Sequence, residues 1–150
     1  MSAKKSKISK NQIEFRVNKI ELLSSFIGQN DKLNIPDPKQ LKFKLIADLE
    51  VLSSAILITI NYEFLYQENI LLEFKSNTEF GIKEGLNHAI ENNQIKNEKF
   101  IKHLIFVSLC HARGLQSTLI NNTQLEHFYI PLIPPDKIQV RLKTANPPTP

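Results

Sequence analysis

The sequence predicts an α+β fold, four antiparallel strands followed by one long helix, and three observations carry this. Apolar residues alternate at period two through three successive segments between Leu41 and Ile82, the pattern of strands with one dry and one wet face. Further along the period changes, and Ile101, Leu104, Ile105, Ser108, Ala112, Leu115 and Leu119 follow the i, i+3, i+4, i+7 spacing of one helix face. Phe100, Val107 and Cys110, with Gly114, lie on adjoining faces, so the helix is apolar around much of its circumference. A helix of that kind is buried on more than one side, most simply by a second copy of the chain.

The elements follow in order. Residues 1–10 read as a disordered basic tail, with too little apolar surface to offset ordering entropy. A first strand opens at Ile13, Phe15 and Val17, then continues at Ile20 and Leu22 in the opposite phase, which is what a bulge produces. Two prolines make 28–40 a loop. The second strand puts Leu41, Phe43, Leu45, Ala47, Leu49 and Val51 on one face. The third does the same with the even positions Ile56 to Tyr66, and Gln67-Glu68-Asn69 is a tight polar turn. In the fourth, Ile70, Leu72, Phe74, Ser76, Thr78, Phe80 and Ile82 face inward, while Leu71, Glu73, Lys75, Asn77 and Glu79 face outward. Gly81 and Gly85 loosen the chain, and a polar connector with a short helix around Leu86–Glu91 follows. Asn97 is the expected N-cap of the long helix and Asn121-Asn122 its end. Gly114 costs about 1 kcal/mol inside a helix, a cost that close helix–helix approach offsets. An apolar segment, Phe128 to Ile133, leads into Pro134-Pro135, and Ile138, Val140 and Leu142 alternate again as a short strand or extended arm. The expected organisation is a tail over 1–10, one folded domain over 11–135, and an extended C-terminal arm over 136–150.

With 150 residues, 41% of them hydrophobic, the chain can build one domain with a substantial core. No run approaches the roughly 18 apolar residues of a membrane helix, so no membrane insertion is expected. The segment MSAKKSKISK lacks an apolar stretch behind its lysines and does not read as a secretory signal. A single cysteine, Cys110, excludes an internal disulfide and fits a reducing, cytoplasmic setting. The net charge of +4 resides in Lys4, Lys5, Lys7 and Lys10, a tail without aromatic interleaving, so nucleic acid is not an expected partner.

Catalysis finds no support in the spacing of residues. His88, His103, Cys110, His111 and His127 contain no HExxH or CxxC pattern. His103 and Cys110 share a helix face but lie about 10 Å apart at a rise of about 1.5 Å per residue, too far for one ion. There is no GxSxG elbow, no pair of carboxylates in an apolar setting and no glycine-rich phosphate loop. The expectation is a protein that is not an enzyme and that uses no cofactor and no metal.

Three features taken in order resemble the SecB export-chaperone family: ILLEFKSNTEFGI over 70–82, His111-Ala112-Arg113 in mid-helix, and Thr123 followed eight positions later by Pro131. The similarity spans roughly Ile13 to Pro135. It implies a SecB-like four-stranded antiparallel sheet with one long helix, assembled as a dimer of dimers, a homotetramer with its long helices between sheets. It implies an ATP-independent holding chaperone for non-native polypeptide clients, acting in protein transport and translocation or beside a toxin–antitoxin pair. Two departures stand out. The family's second amphipathic helix would follow Pro135, but KIQVRLKTANPPTP is short, alternating and proline-ended, so that helix is expected to be absent or reduced. Family members that serve SecA are acidic and carry several outer-face carboxylates; Glu73 matches one of them, but Leu23 and Ser24 stand where another would be expected, and the chain is basic. This departure argues against SecA as a partner and for a solitary chaperone of a specific client. The competing reading is a homo-oligomeric adaptor that binds one folded protein.

The expected sites follow from both lines. Phe128, Tyr129, Ile130, Leu132 and Ile133 are expected to line a client-binding groove. Leu71 and Glu73 are expected to make partner contacts on the outer sheet face. Ile70, Leu72, Phe74, Cys110, Arg113 and Gly114 are expected at a subunit interface, with Arg113 paired across it, because guanidinium suits buried pairing.

Overall fold

The computed structural model describes residues 13–28, 41–121 and 130–143. Strands β1 (Glu14–Ile27), β2 (Leu41–Val51), β3 (Ala55–Tyr66) and β4 (Asn69–Glu84) precede a short helix α1 (Leu86–Ala89). A two-residue ladder, β5 (Ile90–Glu91) with β6 (Gln94–Ile95), leads into the long helix α2 (Glu98–Ile120), and β7 (Gln139–Lys143) closes the described chain. The expected antiparallel meander is present, but the sheet has five strands, in the order β1-β4-β3-β2-β7, and is mixed. β7 runs parallel to β2 along its outer edge. A strictly antiparallel, four-stranded sheet is therefore corrected. Ile138, Val140 and Leu142 alternate at the same period as Ala47 and Leu49, so the expected arm can extend the dry face of the sheet. Among residues 130–143 a single 3-10 turn, Pro135–Lys137, and β7 stand where a second helix would begin.

α2 packs on one face of the sheet, against β3 and β4. Ile101, Leu104, Ile105, Leu109 and Ala112 from the helix meet Ile56 to Phe64 and Leu72 to Ile82 in one core. Asn97 caps the helix as expected, its side-chain carbonyl accepting from the Phe100 N–H at 3.0 Å. No helix among the described residues is long and apolar enough to cross a membrane.

Local chemistry explains the irregular points. The β3–β4 turn places Gln67 (φ 49°) and Glu68 (φ 66°) in the left-handed region, as a two-residue primed hairpin requires. Asn92 (φ 51°) and Asn93 (φ 58°) do the same between β5 and β6, a hairpin the polar connector concealed. β1 shifts register against β4 between Val17 and Lys19, where the change of apolar phase places a bulge, and again between Leu22 and Ser24. Gly81 lies within β4 rather than loosening the chain. The bulged Asn18 amide sits 2.7 Å from where a Cβ of Gly81 would be, and it donates to Glu79 at 3.1 Å.

The fourth strand also departs from its expected phase. The β3–β4 pairing steps from Phe64↔Leu72 to Leu65↔Ile70, leaving Leu71 without an opposite residue. This bulge turns Leu71 into the core, where it is buried, and leaves Ile70 exposed.

Candidate functional site

A strand of alternating apolar residues ordinarily lays one face on a core. β1 does so only at its ends. Phe15 packs edge-on against Phe80 and Phe100, with ring centroids 5.9 and 5.5 Å apart. Val17 and Ile20, opposite Phe80 and Thr78, lie on the helix-bearing side of the sheet, yet each is 42% exposed. α2 reaches β4 through His111, whose Nδ1 lies 3.1 Å from the Thr78 hydroxyl, and Ile20 sits one strand beyond it. Burial of the ring holds the His111 pKa below its ordinary value, favouring neutral imidazole at this contact. The second bulge leaves Leu23 exposed, and Phe26, opposite Glu73, is exposed on the other sheet face. The result is a shelf of apolar side chains along an edge strand.

The outward side of α2 carries a second apolar strip, with Phe106 41% exposed and Cys110 and Gly114 exposed in successive turns. A shallow groove of about 370 Å³ lies there, lined by Cys110, Arg113, Gly114, Ser117 and Leu132. Nothing approaches within 4 Å of the position a Cβ would take on Gly114, so within one chain this glycine serves no close packing.

A third feature lies at the opposite edge of the sheet. Asp48 of β2 is buried, with 4% of its side chain exposed, on the face away from the helix. Arg141 of β7 donates to it through Nε at 2.6 Å and Nη2 at 2.9 Å, and Asn61 donates at 2.9 Å. Lys143 stands 3.8 Å away. Burial pushes the Asp48 carboxyl up, but Arg141, Asn61 and Lys143 together outweigh it and hold the pKa below the ordinary carboxylate value. On the helix-bearing side of β7, Ile95, Ile101, Ile105, Ile138 and Val140 line a groove of about 280 Å³, and Lys102 pairs with Asp136 at its rim. Among the described residues no three metal-ligating side chains converge.

In chain course the protein is similar to a SecB-like chaperone. The solved structure is that of Rv1957 from Mycobacterium tuberculosis, in complex with a ChAD peptide from the Rv1956 HigA1 antitoxin. The TM-score is 0.48 at 16% identity, covering 79% of this chain and 90% of that one. Nothing about activity or clients is carried over at that level of similarity. No protein-family model matches the sequence, and no curated protein matches it.

The expected site residues scatter across these features. Phe128 and Tyr129 lie outside the described residues. Ile130 is fully buried, its N–H donating to the Gln116 side chain at 2.7 Å, so it belongs to the core rather than to an open groove. Ile133 packs partly against the core, and Leu132, 48% exposed, borders the groove beside Gly114. On the outer face Glu73 is exposed, while Leu71 is turned inward by its bulge. Leu72 and Phe74 are buried within the chain itself and are core, not interface. Cys110 and Gly114 face outward on α2, Arg113 is half-buried beside them, and Ile70 is exposed at the far end of β4. The sequence reading missed the shelf of β1 and the Asp48–Arg141 pair. A lone acid between Ala47 and Leu49 reads as a wet-face residue until its burial is known.

Proposed function

We propose that the protein is an ATP-independent holding chaperone of the SecB type, which binds non-native polypeptide for export or to protect a specific client such as an antitoxin. The observation that supports this best is where its apolar surface lies. Six of the ten large hydrophobic side chains exposed among the described residues belong to one edge strand, β1. Exposed apolar side chains gathered on one edge strand, with Val17 and Ile20 together on the helix-bearing side, mark a place where another polypeptide sits. Burying about 400 Å² of client at about 25 cal/mol/Å² supplies about 10 kcal/mol before the ordering cost of the client. The chain is an oligomer in this reading, a dimer of dimers, and several such surfaces on one assembly raise avidity. SecA is not part of the proposal, because Leu23 and Ser24 stand where a further outer-face carboxylate is expected and the chain is basic.

The test is aggregation of two or three unrelated unfolding proteins, followed by light scattering without nucleotide. Purified protein is expected to suppress scattering at near-stoichiometric ratio. Polar substitution of Val17 and Ile20 is expected to weaken the effect while circular dichroism stays unchanged. Protein that leaves all clients aggregating, yet binds one folded partner tightly, is the adaptor instead.

A further inference from the structure

The strand β7 differs from every other long strand of the sheet. It has five residues where β1 to β4 have between 11 and 16, and it pairs with β2 alone, in the parallel sense that is the weaker per residue. Pro134 and Pro135 precede it and cannot extend the ladder toward the N-terminus of the strand. Its rim is fastened by Lys102 with Asp136, an exposed ion pair of the kind that contributes little.

The side-chain contacts are asymmetric. Asp48 is buried in the sheet, whereas the Arg141 side chain that neutralises it is 52% exposed. The acid is therefore a fixed part of β2, and the base arrives with the edge strand. On the other face Val140 stands opposite Ala47 and Leu142 opposite Leu49, and both β2 residues are fully buried. Everything β2 reads along this edge, a backbone ladder, two aliphatic positions and a base between them, is available from any extended segment of that pattern.

We propose that the Ile46–Glu50 edge of β2 is a strand-addition site for extended client segments that run parallel to it, with aliphatic residues flanking an arginine or lysine, and that β7 is its built-in, displaceable occupant. This rests on the holding-chaperone reading and names its client chemistry: basic, alternating, unfolded polypeptide. The groove between α2 and β7 borders this edge, and Ile101 and Ile105 on its helix side offer an apolar wall to the strand that occupies it.

The test uses the full chain in a Cys110→Ser background and a fluorescent peptide, KIQVRLK, copying residues 137–143. Glu50 and Lys143 are opposite one another, so Glu50→Cys with Lys143→Cys allows an oxidative cross-link that fastens β7 to β2. The reduced protein is expected to bind the peptide, and Arg141→Ala to bind it at least tenfold more tightly. The cross-link is expected to abolish binding and reduction to restore it, while a peptide with glutamate in place of its arginine fails to bind. Peptide binding that survives the cross-link, or that is absent even in Arg141→Ala, overturns the site. A cross-linked protein that still suppresses aggregation fully as the reduced form does also removes the site, yet leaves the holding reading standing. Peptide binding that obeys the cross-link in a protein with no holding activity removes the holding reading instead and keeps the site.

Discussion

At the residue scale, Asp48 is where buried charge and geometry meet. Its folded-state pKa is depressed by Arg141 and Lys143 of β7 and by Asn61 of β3, against the upward push of burial. A depressed carboxyl contributes stability that is fully present above its unfolded value, about 3.9, and is lost as pH falls through the lower folded value. Stability is thus expected to drop below about pH 4, and Asp48→Asn to flatten that part of a urea-denaturation profile taken from pH 6 to 3. The pair is also expected to be asymmetric to mutation. Arg141→Ala strands a buried carboxylate and is expected to cost about 2 kcal/mol. Asp48→Asn frees an arginine that already reaches water, and is expected to cost less than half as much. Equal costs in denaturant titrations would show that Asp48 is solvated when β7 loses its base.

At the element scale, the phase of β4 decides which substitutions are tolerated. Phe74 is buried and Glu73 exposed. Phe74→Asp is expected to prevent folding, because an unpaired charge would lie in the core. Glu73→Lys is expected to leave the circular dichroism spectrum and melting temperature within a degree or two of the parent. The bulge makes a further point about neighbours: Leu71→Asp is expected to behave like Phe74→Asp, although strict alternation would place it outside. Helix α2 offers the complementary case. Gly114 has open space around it, so Gly114→Leu fits within one chain and gains helix propensity of up to about 1 kcal/mol. Its expected effect is therefore a subunit that melts no lower but an assembly that comes apart, read by circular dichroism and light scattering on the same sample. An unchanged assembly would place the subunit contact away from this face of the helix.

At the scale of the whole molecule, the two edges of the sheet are treated differently. The β1 edge is long, bulged twice and apolar on its surface, and the β2 edge is covered by a short strand with a buried ion pair. Bulges at an edge discourage indiscriminate pairing, while leaving side chains free to make contacts. Light scattering at micromolar concentration is expected to give a mass that is a multiple of the 17.2 kDa chain. A monomeric mass would remove the dimer of dimers, and the outward strip of α2 would then be open in solution beside the shelf of β1.

Much of this architecture was legible in the sequence, because period and caps are local properties. The bounds of β2 and β3, the helix start at Asn97 and the first bulge of β1 follow from alternation, a capping amide and a change of phase, each contained within a few residues. What only the tertiary structure decided depends on neighbours distant in the chain. Leu71 is buried and Ile70 exposed because β3 fails to supply a residue opposite Leu71. Asp48 is buried because Arg141 arrives 93 residues later, and the C-terminal arm is a strand because β2 had an edge to receive it. The groove expected at 128–133 is divided for the same reason: Ile130 is captured by Gln116 on α2, and Leu132 points outward beside Gly114. Periodicity specifies which residues share a face of an element. Which faces meet, and which are left open, is a property of the assembled sheet.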